Sequence, residues 1–138
     1  DNEIIVANTI YIAPGGKQFK LKKRGDLLLA EVNDDEPVNR FKPSVDYLFK
    51  SLEKLRNINM IGVILTGMGK DGAQGLLNIK NIGAYTIAQD EESSVVFGMP
   101  KEAIKLGAEC EVASLDDMSD KIVSCFNSHS KKCKKQAS

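Results

Sequence analysis

The chain has 138 residues, 42% of them hydrophobic and 28% charged, and its 19 basic and 19 acidic side chains cancel to a formal net charge of +0. That length supports one domain around one core, and the charge balance excludes the electrostatic footprint of a nucleic-acid binder or of a protein held on an anionic membrane. No apolar run is long enough for insertion into a bilayer, and the N-terminus lacks a signal-peptide pattern. Cys110, Cys125 and Cys133 are odd in number and lack metal-type CxxC spacing. This cysteine usage reads as a reducing, cytoplasmic setting.

The first third predicts strands. IYIA, Ile10 to Ala13, is short and β-favouring, and PGG then turns the chain. FKLKK and LLLAEV flank Arg24-Gly25-Asp26, which predicts a tight β-hairpin. PVNRFKP reads as a loop. From Ser44, apolar residues at Val45, Leu48, Phe49, Leu52 and Leu55 form a helical stripe, with Pro43 and Ser44 at its start.

From Met60 the pattern changes. IGVIL is a continuous apolar run, as in a parallel strand covered on both faces. A helix is predicted from about Gly72, with Ala73, Leu76 and Leu77 inward and a stop near Gly83. AYTIA is the next strand. PKEAIKLG is a helix with Pro100 near its first position and Gly107 as its stop. CEVA is a short strand. Ser114 then caps a last helix with Leu115, Met118, Ile122 and Phe126 on one face. Strand and helix in alternation predict an α/β fold: a doubly wound, mostly parallel sheet flanked by helices, with the hairpin attached. Residues 1–127 form the domain, and the basic segment 128–138 reads as a disordered tail.

The segment TGMGKDG, Thr66 to Gly72, joins an apolar strand to a helix and has three readings. Gly67, Gly69 and Gly72 fit the dinucleotide fingerprint G-x-G-x-x-G, with Asp90 at the end of the next strand as a ribose partner; Asp71, however, would stand beside the pyrophosphate and repel it. In a structural reading, the glycines make a tight turn and Asp71 caps the following helix. In a catalytic reading, Asp71 accepts a histidine Nδ1–H while the glycines let backbone N–H groups approach an oxyanion. Spacing does not decide between the last two.

TGMGKDGAQGL, GAYTIAQDEESSVVFGMPKEAIKLGA, PVNRFKPSVDYLF and YIAPGG together resemble the catalytic domain of the CheB-type protein-glutamate methylesterases of chemotaxis, from Asp1 to about Phe126. The resemblance implies a doubly wound α/β domain and a Ser-His-Asp hydrolase that needs no cofactor and no metal. It acts on glutamate methyl esters, and in many members glutamines, of the cytoplasmic helices of methyl-accepting chemoreceptors. A receiver domain and a chemotaxis histidine kinase are further candidate partners. By resemblance Asp71 is the triad aspartate, Met68 supplies an oxyanion-hole backbone N–H, and Gly67, Gly69 and Gly72 shape the active-site turn. Asn39, Arg40, Pro43 and Ser44 match the family's NRxxPS stretch near the site, without catalytic roles.

The family's nucleophile turn, G-x-S-T-G-G, and its S-Q-H segment have no match here, so the N-terminal part of the domain is expected to be missing and this chain inactive alone. The alternative is a non-catalytic receptor-binding or regulatory remnant of the same scaffold. His129, the only histidine, lies in the basic tail and reads as solvated. His129 and Cys133 are too few ligands for a metal site.

Overall fold

A computed structural model of the chain describes residues 2–128 and 133. The expectations placed on the tail, including its disorder and the solvated His129, otherwise fall outside the described residues.

Two sheets and four helices make up the fold. Strands β1 (Asn2–Ile4), β2 (Gln18–Arg24) and β3 (Leu27–Asn33) form an antiparallel sheet in the order β1-β3-β2. The β2–β3 hairpin closes with Arg24 opposite Leu27, leaving Gly25 and Asp26 as its two-residue turn. Helix α1 (Val45–Leu52) follows, then β4 (Ile61–Ile64), α2 (Ala73–Asn81), β5 (Tyr85–Gln89), α3 (Met99–Lys105), β6 (Glu111–Ala113) and α4 (Leu115–Asn127). Strands β4, β5 and β6 are parallel and lie in that order, with Ile64 beside Ala88 and Gln89 beside Ala113.

Each face of the parallel sheet buries its own cluster. Ile64 and Ala88 pack with Phe49 of α1, Leu76 and Ile79 of α2, and Ala103 of α3. Tyr85, Ile87 and Ala113 pack with Met118 and Cys125 of α4. Helices on both faces make this the doubly wound arrangement expected from alternating strands and helices. β5 lies between its two parallel neighbours and is buried at every position, whereas Ile61 and Val63 on β4 are half-buried.

Helix α1 joins the two sheets, packing on β2 and on α2. The approach to α2 is close: a Cβ at Gly75 would lie 2.6 Å from Phe49 Cβ and 2.8 Å from Asp46 Oδ1.

Three sequence expectations change. Ile10–Ala13 forms no strand, and Ile10 and Ile12 are 89% and 85% exposed. A β-favouring run needs a partner, and here the Tyr11 hydroxyl closes a local loop, accepting from Val6 N–H at 3.0 Å and donating to the Ile4 carbonyl. The strand beside β3 on the side away from β2 is Asn2–Ile4. On α4 the inward positions are Met118, Ile122 and Cys125, at i, i+4 and i+7, while Leu115 and Phe126 are exposed. Finally, the cysteine count does not mean three free thiols. Cys110 and Cys133 are joined, their Cα atoms 5.0 Å apart, within disulfide range, and Cys125 is buried outside that pair.

Candidate active site

Asp71 is 4% exposed and lies between the turn after β4 and the start of α1. Its carboxylate accepts four hydrogen bonds. Oδ1 takes the Ser44 hydroxyl at 2.7 Å, Asn39 Nδ2 at 2.9 Å and the Asp46 N–H at 3.2 Å; Oδ2 takes the Val45 N–H at 2.7 Å. A carboxylate offers about four lone-pair sites, two on each oxygen. Oδ1 is crowded, and Oδ2 keeps one site unused among the described residues.

Asp71 thus caps a helix, though not the one expected. The N-cap of α2 is Gly72, at φ +91°, with no side-chain bond to the helix. Only glycine takes that conformation at little cost, and a Cβ there would also lie 2.7 Å from Val45 Cγ1. The left-handed turn aims Asp71 back at the N-terminus of α1, where unpaired N–H groups and the helix dipole favour an anionic acceptor.

Asn39 and Ser44 reach Asp71 from a segment whose sequence pattern was visible but carried no role. Val38 and Phe41 exchange two backbone bonds, with Asn39 at φ +53° and Arg40 at φ +70° between them. Positive φ at both central positions is a type I′ turn, and Asn tolerates it best after Gly. The turn carries Asn39 Nδ2 to Asp71 and also to Asp46 Oδ2, at 2.7 Å. Ser44 is the N-cap of α1: its Oγ accepts the Tyr47 N–H at 3.3 Å while donating to Asp71. Gln18, fully buried, accepts the Ser44 N–H at 2.9 Å and donates to the Glu36 and Phe41 carbonyls. A polar residue opening a strand gives no local signal of such a role.

On the other side of the turn, the Gly67 carbonyl accepts from the N–H groups of Gly98 at 3.1 Å and Met99 at 2.8 Å. The peptide joining Gly67 to Met68 is planar and trans, so its N–H points opposite to its C=O. Holding the carbonyl against the start of α3 turns the Met68 N–H outward, and it has no acceptor among the described residues. The Met68 side chain is 81% exposed. A Cβ on Gly98 would lie 2.6 Å from the Gly67 oxygen, so the contact needs glycine there. Gly67, Met68, Gly69, Asp71 and Gly72 therefore share one turn at the carboxyl end of β4, where open α/β sheets place their sites. Asp90, the fingerprint's ribose partner, is bound instead to the Ser93 N–H and hydroxyl, which hold its carboxyl below the usual carboxylate range.

Comparison with known proteins adds the family. A sequence profile described as CheB methylesterase matches residues 1–122. The chain is 51% identical over 126 residues to the protein-glutamate methylesterase/protein-glutamine glutaminase of Paraburkholderia xenovorans, covering 91% of this chain and 35% of that protein. It is 55% identical over 122 residues to protein-glutamate methylesterase/protein-glutamine glutaminase 2 of Bordetella avium, covering 88% and 35%. It spans about a third of the length of these relatives. The crystal structure of the Thermotoga maritima CheB methylesterase catalytic domain superimposes with a TM-score of 0.85 at 34% identity, covering 90% of this chain and 66% of that one. The chain belongs to the CheB methylesterase family.

Proposed function

We propose that this chain supplies the aspartate and the oxyanion-binding turn of a protein-glutamate methylesterase that acts in the cytoplasm on the helices of methyl-accepting chemoreceptors. The observation that carries the reading is the single turn holding both a buried carboxylate and an outward N–H with no acceptor among the described residues. The names of the relatives supply the substrate class, glutamate methyl ester or glutamine.

The reading requires a serine and a histidine from outside residues 1–138. The serine oxygen attacks the ester carbonyl, and the histidine takes its proton. Oxygen that becomes anionic in the tetrahedral intermediate accepts the Met68 N–H. The intermediate collapses, methanol departs with the proton from histidine, and a glutamyl-serine ester remains. Water repeats the cycle and releases glutamate. Asp71 takes the histidine Nδ1–H on the remaining Oδ2 site, fixing the tautomer and stabilising the imidazolium. With glutamine in place of the ester, ammonia departs.

A second reading, a non-catalytic receptor-binding or regulatory remnant, draws on the four donors around Asp71, which give the carboxylate a structural task of its own. Methanol release from methylated receptor tests the two. The complete protein should turn over and residues 1–138 alone should not. No turnover by the complete protein would leave the scaffold reading.

A further inference from the structure

Gln89 ends β5 and is fully buried, yet it belongs to no part of the triad. The β4–β5 ladder stops at the pair Ile64–Ala88. Beyond it the Gln89 side chain takes the place of a backbone partner: Oε1 accepts the Thr66 N–H at 2.7 Å. Its Nε2 donates to the Ser93 carbonyl at 2.9 Å and the Ser93 hydroxyl at 3.2 Å. Ser93 is itself fixed by Asp90, and its hydroxyl accepts the Leu115 N–H at 2.9 Å at the start of α4. Thr66 has a second anchor, since its hydroxyl donates to the Val96 carbonyl and accepts the Val96 N–H.

Three successive peptide planes are therefore held, the middle one by the Gly67 N–H donating to the Val96 carbonyl at 3.1 Å. Gln89 holds the one that ends in the Thr66 N–H, and the start of α3 holds the one containing the Gly67 carbonyl and the Met68 N–H. We propose that Gln89 is a positioning residue that fixes the direction of the Met68 N–H through Thr66, and so sets how well the turn meets the oxyanion. This inference rests on the esterase reading. Loss of a whole oxyanion donor typically costs about 100- to 1,000-fold in kcat, and a misdirected donor costs part of that.

The test is made in the complete protein with methylated receptor. Gln89→Met keeps the volume and removes all three hydrogen bonds. It should lower kcat by about tenfold or more with KM within about twofold, because the oxyanion forms only in the transition state. Gln89→Glu gives a second readout. A protonated carboxyl donates to the Ser93 carbonyl and accepts the Thr66 N–H, whereas a carboxylate faces that carbonyl with a like partial charge. A buried carboxyl titrates above its usual range, so the kcat of Gln89→Glu relative to wild type should rise as pH falls from about 8 to about 6. Thr86→Val, which removes a buried hydroxyl bonded to the Ala108 carbonyl on the same strand, controls for loss of stability alone. The inference is overturned by a folded Gln89→Met with wild-type kcat, by a pH-independent ratio for Gln89→Glu, or by an equal kcat loss in Thr86→Val. A wild-type protein without turnover overturns the esterase reading itself, and this inference with it.

Discussion

Asp71 holds the start of α1 and, on the proposed reading, also orients a histidine; two substitutions separate the two. Asp71→Asn places an NH₂ where an oxygen accepts from Ser44, Asn39 or the α1 amides. A buried donor left without an acceptor costs about 1–3 kcal/mol, so the melting temperature should fall. The amide also cannot stabilise an imidazolium. In the complete protein kcat should fall by about 100-fold or more, the scale of a proton-transfer contribution. Ser44→Ala removes one donor to Asp71 and the cap of α1, at a cost of about 1 kcal/mol, but leaves the carboxylate and its bond from the Val45 N–H in place. It should destabilise the fold and keep most of the kcat. If urea melts and kcat shift alike in the two variants, Asp71 acts through the fold alone. The turn carrying Asp71 was legible in the sequence because the strand, glycines and helix around it follow local rules. Its partners were not, because Asn39 and Ser44 lie 32 and 27 positions away and meet it only through the packing of α1 on α2.

At the scale of elements, the hairpin carries a charge cluster. Glu31 lies between Lys20, at 3.2 Å, and Lys22, and also accepts from Asn33 Nδ2. The bond from Lys22 is the largest influence, and with Lys20 and Asn33 it lowers the Glu31 carboxyl from 4.5 to about 2. A carboxyl lowered by folding stabilises the native state above its unfolded pKa. That stabilisation is lost as pH falls from about 4.5 through about 2. Lys22 is 42% exposed, so solvent screening reduces the effect to about 1 kcal/mol. Glu31→Gln should therefore be less stable at pH 7 and converge with wild type near the acid end of that window; equal urea midpoints at pH 7 would refute the cluster's contribution. Helix α2 gives a prediction of opposite logic. Gly75→Ala gains about 1 kcal/mol of helix propensity, yet the new methyl meets Phe49 Cβ, a rigid stem rather than a flexible tip. Overpacking costs about 1–3 kcal/mol, so net destabilisation is expected in thermal melts. Alternating strands and helices, the Ser44 and Ser114 caps and the hairpin turn were readable because each is local. The failure at Ile10–Ala13 and the outward Phe126 have one cause: propensity and periodicity say what a segment suits, not what lies beside it.

Across the whole molecule, β4 is an edge. Among the described residues no strand pairs with it on the side away from β5. Exposed Ile10 and Ile12 add apolar surface to the molecule. An uncovered edge is a template for association, so residues 1–138 alone should sediment as concentration-dependent oligomers; a monodisperse monomer would show the edge to be protected. The bonding of Asp71 has a consequence for motion. Its bonds tie a turn after β4 to the first amides of α1, and the Gly75 N–H returns the link by donating to Asp46 Oδ1 at 2.8 Å. Neither end can open while the other stays closed. In native-state hydrogen exchange, Val45, Asp46 and Gly75 should therefore share one opening free energy and one denaturant dependence, as a single cooperative unit. The surface around the Met68 N–H should then open without loosening the carboxylate, because the contacts holding that N–H run to α3 and β5 and not to α1.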